Sequence, residues 1–180
     1  MIISGKDIEF LNIVSQTVWD GQFQPAGADM SVASVHSFDS KGEIDGDNTK
    51  RKLPECTELK FVSGAVSLKP GAYKVVFNEK VSVPTDAAGI ARSRSSLLRM
   101  GAFVATAVWD PGYEGKSEAL LVVQNPHGIV LHQKAKIAQI VFIRLENASG
   151  QTYSGKYQGE NLEGRVGSES DEEEKILDSL

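Results

Sequence analysis

The feature that most constrains this chain is a rhythm of short β-branched runs broken by glycine, proline and aspartate. Residues 58–62, 65–68, 73–77, 81–83, 103–108, 120–124, 129–131 and 137–145 are such runs, most of them spaced by about eight to twelve residues. A helix would need apolar side chains at a 3.6-residue period over ten or more positions, and these runs are too short and too branched to supply it. The pattern predicts an all-β sandwich or barrel. Lys69-Pro70-Gly71-Ala72 and Asn125-Pro126-His127-Gly128 read as turns, because proline presets one φ and glycine supplies the positive one. One helix is expected, over residues 94–100, capped by Ser93 or Ser95.

Composition sets the outer limits. With 180 residues, 41% hydrophobic and 24% charged, the chain has material for one domain with a real core, placed at residues 1–165. Residues 37–57 are polar and charged and read as a surface excursion from that domain. Within it Asp45-Gly46-Asp47-Asn48 has the look of a calcium loop, yet the alternating oxygen ligands and closing Glu are missing, so it reads as a polar loop. The net charge is -5. Glu169, Asp171, Glu172, Glu173, Glu174 and Asp178 against Lys175 alone give the last dozen residues that same net charge. The body is therefore near neutral, and residues 166–180 are expected to be a solvated, disordered acidic tail. No basic face calls for nucleic acid. No apolar run of about 18 residues and no signal-like start are present, which points to a cytoplasmic protein without a membrane span. Cys56 is the single cysteine, and His36, His127 and His132 lack metal-ligand spacing. A protein-ligated zinc is not expected.

Two segments carry chemistry. In Arg94-Ser95-Ser96-Leu97 a guanidinium fork stands beside two small hydroxyls, a set that can clamp a polyphosphate. In Trp109-Asp110-Pro111-Gly112-Tyr113-Glu114-Gly115 an Asp precedes a Pro-Gly turn, whose fixed backbone can aim its carboxylate at one water or one sugar hydroxyl.

These segments are part of a longer series. Ala26-Gly27-Ala28-Asp29-Met30, then Arg94-Ser95-Ser96-Leu97-Leu98-Arg99-Met100-Gly101, then Asp110–Gly115 and finally Lys136-Ile137-Ala138-Gln139-Ile140 resemble, in kind and order, the trimeric dUTP diphosphatase and dCTP deaminase superfamily. The likeness spans about residues 20–160. It implies a distorted jelly-roll or β-clip-like barrel, a homotrimer with active sites at subunit interfaces, and dUTP as substrate. It also implies hydrolysis to dUMP and pyrophosphate, which keeps uracil out of DNA and supplies the thymidylate precursor. Asp110 would be the base that activates water. Arg94, Ser95, Ser96, Arg99 and Gln139 would hold the phosphates, often from a neighbouring subunit. Ala105, Thr106 and Ala107 would lie in a β-hairpin over residues 102–108 whose backbone binds the pyrimidine. Tyr113 would pack under the deoxyribose, and Asp29 would support a phosphate-binding arginine or a metal-bound water. Mg²⁺ would be carried by the phosphates and water rather than by protein ligands.

The sister activity asks for a different group. In the deaminase branch a Glu on the strand after the DPG turn shuttles protons. Counting back from Asn125 puts Val122 there, and counting forward from Gly115 puts Leu120 there; neither side chain moves protons, and Glu118 lies out of register by two or more. The expectation is therefore dUTP diphosphatase, with dCTP deaminase or a bifunctional enzyme as the alternative and a non-catalytic nucleotide-binding regulator as the second. The ending Tyr153-Ser154-Gly155-Lys156-Tyr157 resembles the deaminase and archaeal-type diphosphatase pattern, with Lys156 toward phosphates and Tyr157 toward the nucleotide. Residues 163–168 are an equal candidate for a closing lid.

Overall fold

Along residues 1–162, the part of the chain described by the computed structural model, thirteen strands and two short α-helices follow one another. They are α1 (Gly5–Phe10), β1 (Val14–Ser15), β2 (Phe23–Gln24), β3 (Gly27–Phe38), β4 (Cys56–Glu58), β5 (Ala65–Leu68), β6 (Gly71–Phe77) and β7 (Lys80–Ser82). There follow β8 (Ala87–Ser93), α2 (Ser95–Arg99), β9 (Ala102–Ala105), β10 (Glu114–Gly115), β11 (Glu118–Val123), β12 (Ile129–His132) and β13 (Lys136–Arg144). The main sheet runs β8-β13-β3-β6-β11-β9, with β2 and β4 also on β3, and curls into a nearly closed antiparallel barrel. Phe77, Phe142, Met30, Leu121 and Ile140 fill it and are fully buried. The all-β expectation holds.

Strand β3 is the spine and was absent from the expected strands. Its first half pairs with β13 and its second half with β6, and both ladders slip near Ser31–Ser34. Its first six residues are all buried, so no polar face alternates along them and the period-2 signal vanishes. Strand β8 was missed for a different reason: its burial alternates, but Ala87-Ala88-Gly89 are too small to mark a β-branched run. Helix α1 did leave a signal: Ser4 Oγ accepts the Asp7 N–H, the pattern of a Ser cap with an acid three residues on. The expected strand over 58–62 is only Cys56–Glu58, and the run over 103–108 stops at Ala105.

Where β3 changes partners, a buried polar hub replaces the lost ladder bonds. The Ser31 N–H donates to Glu79 Oε2 at 2.8 Å, Ser31 Oγ donates to Oε1 at 2.5 Å, and Gln22 Nε2 donates to Oε1 at 2.8 Å. Gln22 also donates to the Asp29 carbonyl and accepts the Val18 and Trp19 N–H groups. A buried group of this kind is tolerable only when every donor and acceptor is matched.

The barrel closes where β8 meets the chain leaving β9. Ser93 Oγ accepts the Val104 N–H at 2.8 Å and donates to the Val104 carbonyl at 3.2 Å. Farther along, Gly89 and Trp109 exchange two backbone bonds of 2.8 and 2.9 Å. Between these two stitches the backbone N–H and C=O groups of Thr106, Ala107 and Val108 have no partner among the described residues. The expected serine cap of α2 is thereby corrected: Arg94 stands at the N-cap with no side-chain bond, because Ser93 is engaged in the seam.

Residues 37–57 do leave the barrel, but both ends are strand: His36–Phe38 pair with Cys56–Glu58. Within the loop, Asp45 Oδ1 accepts the Asp47 N–H, and Asp47 Oδ1 accepts the Thr49 N–H and hydroxyl. These two bonds hold the Asp47 carboxyl below its usual range. The acidic cluster thus spends its oxygens on its own turn. The acidic tail at 166–180 and the candidate lid at 163–168 lie outside the described residues.

The hub yields a stability prediction. Glu79→Gln puts an NH₂ where an acceptor is needed and strands one buried donor, at a loss of about 1–3 kcal/mol. A lower urea midpoint with an unchanged slope is the expected result.

Candidate active site

A cavity of about 660 Å³ opens on the outer face of β6, β11 and β9. Along β11 the residues alternate, with Ala119, Leu121 and Val123 buried and Glu118, Leu120 and Val122 turned outward. Of the outward three, Glu118 and Leu120 line the cavity and Val122 does not. Of the two positions counted for a proton-shuttling Glu, Leu120 faces the cavity and Val122 does not, with Glu118 two residues from Leu120 on the same face. Ala105, Thr106, Ala107, Asp110, Tyr113 and Tyr157 also line it, so six expected site residues are brought together. The expected hairpin over 102–108 is a strand to Ala105 followed by the unpaired stretch of the seam.

The turn bearing Asp110 is held from three sides. Its own carbonyl accepts the Tyr113 N–H, and Gly112 sits at φ +84°, where a Cβ would lie 2.7 Å from Thr152 Cβ. Only glycine fits there. The segment 151–162 packs over the turn: Tyr153 N–H donates to the Pro111 carbonyl, Gln158 Nε2 to the Gly112 carbonyl, and Lys116 N–H to the Glu160 carbonyl. Inside, Ser117 Oγ accepts Trp109 Nε1–H at 2.5 Å and bonds the Tyr113 hydroxyl at 2.9 Å, while Tyr113 donates to Glu160 Oε1 at 2.7 Å. Burial above all pushes the Tyr113 phenol far above its ordinary pKa, so it remains a neutral donor. The Asp110 carboxylate is exposed at the cavity and takes no hydrogen bond from another described residue.

The expected phosphate contacts form a second group. Asp29, 2% exposed, lies opposite Gln139 in the β3–β13 ladder and binds Arg94 Nη1 at 2.5 Å and Lys136 Nζ at 3.4 Å. Ser95, Ser96 and Arg99 are exposed on α2. None of these residues lines the cavity. Lys156 does not line it either, whereas its neighbour Tyr157 does, under the Arg51 guanidinium at 5.5 Å. Sequence reasoning missed Lys136, which the register to Ser31 beside Asp29 would have suggested, and Trp109, Ser117 and Glu160. It also missed Phe38, Leu53, Pro54 and Cys56, which make the residue 37–57 excursion a wall of the cavity.

A family model described as dCTP deaminase-like matches residues 5–145. The chain belongs to the dCTP deaminase-like family. Among curated relatives it is 43% identical over 162 residues to the "Probable deoxyuridine 5'-triphosphate nucleotidohydrolase" of Aeropyrum pernix, covering 90% of this chain and all of that protein. It is 43% identical over 141 residues to the "Deoxyuridine 5'-triphosphate nucleotidohydrolase" of Methanocaldococcus jannaschii, covering 77% of this chain and 88% of the other. Among solved structures, the 2'-deoxycytidine 5'-triphosphate deaminase of Agrobacterium tumefaciens superposes with a TM-score of 0.60 at 20% identity, over 78% of this chain and 47% of that one. This last likeness is one of fold.

Within this member of the family, Tyr113→Phe should remove the bond that joins Ser117 to Glu160 and lower stability by about 1–3 kcal/mol. Because the phenol does not ionise in the working range, the pH–rate profile of the variant should keep the parent's shape. An alkaline limb lost on substitution would contradict this.

Proposed function

We propose that this protein is a dUTP diphosphatase that releases dUMP and pyrophosphate. The observation that carries the reading is the open seam: unpartnered backbone donors and acceptors at Thr106–Val108 edge a cavity that also holds Asp110 and the small side chains Ala105 and Ala107. A flat pyrimidine with alternating polar atoms is what such a backbone edge can bind. The names of the archaeal relatives support the same substrate.

In this reading the pyrimidine lies against the seam and Tyr113 supports the sugar. The Asp110 carboxylate takes the proton of the water that attacks the α-phosphorus. Arg94, Ser95, Ser96, Arg99 and Gln139 lie outside the cavity of their own chain, and we assign them to the phosphates bound in a neighbouring subunit's site, in a homotrimer. Asp29 holds Arg94 extended before substrate arrives. Lys156, next to cavity-lining Tyr157, serves the phosphates from the closing segment. Mg²⁺ fits this donor set as an ion carried by the triphosphate, since Mg²⁺ needs only one or two carboxylates when it keeps its waters and the exposed Asp110 carboxylate stands at the cavity. Asp110 is the carboxylate placed to meet one of those waters. Bound there, the ion would neutralise phosphate charge. No described helix is long and apolar enough to cross a membrane; work on a nucleotide pool would place the protein in the cytoplasm.

Glu118 in the cavity favours one alternative, a bifunctional enzyme that also deaminates dCTP. Ammonia release from dCTP separates the two, and the main reading expects none, since Leu120 fills the forward-counted position of the proton-shuttling Glu.

Asp110→Asn should still bind dUTP while turnover falls about 10²- to 10⁴-fold. Pyrophosphate release within a few-fold of the parent would remove Asp110 from the mechanism. Mixing Asp110→Asn subunits with Gln139→Ala subunits should restore part of the activity, since some interfaces then pair an intact base with an intact phosphate contact. Mixtures no more active than their components would place both residues in one subunit's site.

A further inference from the structure

The strand register lays a row of residues across the sheet: Glu58 on β4, His36 on β3, Lys74 on β6, Leu120 on β11 and Ala105 on β9. Neighbours in such a row stand about 5 Å apart, which puts Lys74 about 10 Å from Ala105, with Leu120 between them. Those three line the cavity, and Glu118 joins them from the same face of β11. Lys74 Nζ donates to Glu118 Oε1 at 3.0 Å, with the two side chains 27% and 33% exposed.

Much of the remaining wall is apolar, and most of its polar groups are already committed. Tyr113, Ser117 and Glu160 bond one another, and Asp110 stands at the turn. The free backbone of Thr106–Val108 and the Lys74–Glu118 pair therefore face the cavity from opposite sides of Leu120. A flat ring resting on Leu120 meets both. The proposed function assigns nothing to this pair.

We infer that Lys74 reads the 4-position of the pyrimidine, donating to a 4-oxo oxygen, while Glu118 holds the ammonium in place. The inference rests on the reading that the cavity takes a pyrimidine nucleotide. An ammonium has three donors and no acceptor, so it matches a carbonyl and opposes an amino group, whose own N–H donors would be left facing it. A site built on such a bond rejects the analogue that cannot make it, because a polar group is left unpaired. Uracil is thereby selected over cytosine by a charged pair on two adjacent strands, in addition to the backbone edge.

The test measures kcat/KM for dUTP and the inhibition constant of dCTP for the wild type, Lys74→Met, Lys74→Arg and Glu118→Gln. Lys74→Met should raise KM for dUTP about 10- to 100-fold, the worth of one hydrogen bond to a charged group, with kcat little changed and dCTP binding equal or tighter. Lys74→Arg, which keeps a cation, should retain most of the preference, and the near-isosteric Glu118→Gln should reduce it. A preference for dUTP over dCTP that is the same in all four proteins overturns the inference and leaves the diphosphatase reading standing. Ammonia released from dCTP by the wild type and lost in Glu118→Gln also overturns it, by making Glu118 a proton carrier. A wild type that neither binds nor hydrolyses dUTP overturns both.

Discussion

A sheet that curls into a barrel must bring two edges together, and here that closure is only partial. Ser93 stitches β8 to Val104 with its side chain, Gly89 and Trp109 stitch it again with backbone, and the stretch between stays unpaired. A complete ladder would have satisfied Thr106, Ala107 and Val108 internally and left a smooth wall. An unstitched edge would have exposed a long strand to aggregation. Two stitches with a gap stabilise the barrel while leaving three residues of backbone to bind something else. The cavity, the Asp110 turn that follows Trp109, and the segment 151–162 packed over that turn all take their positions from this seam.

The second constraint is electrostatic. Asp29 is buried and shared by Arg94 and Lys136, so these two cations are already paired. Their side chains are ordered in advance, which reduces the entropy lost on binding. In the proposed function, an arriving polyanion competes with a single carboxylate for these cations. The buried hub at Glu79 fixes Ser31, two residues along β3 from Asp29, so the charge cluster and the partner switch of the strand lie two positions apart.

What was legible in the sequence follows from these placements. Strands β11, β12 and β13 alternate or run apolar between turn residues, and the rhythm located each of them. Strand β3 could not be read in that way, because Gly27–Val32 are buried on both faces and offer no period. The motif residues were legible as chemistry, and the resemblance already implied their division into two groups, but which strands carry each group depends on which edges close the barrel. Lys74 and Glu118 lie 44 residues apart and gain meaning only through the β6–β11 register. The pocket-facing residue of β11 was ambiguous by two positions for a related reason: Glu118, Leu120 and Val122 share one face, and only the folded position of the cavity tells them apart.

The excursion at residues 37–57 hangs from the end of β3 and from β4, yet it contributes Phe38, Leu53, Pro54 and Cys56 to the cavity wall. Most of it lies outside the barrel's hydrogen-bond ladders, so its length and composition can drift with little effect on folding. The same drift reshapes one side of the cavity. Selection can therefore retune which ligands the pocket admits through a segment whose changes the scaffold does not feel, and the opposite wall, made of barrel strands, stays under the stricter rule of packing.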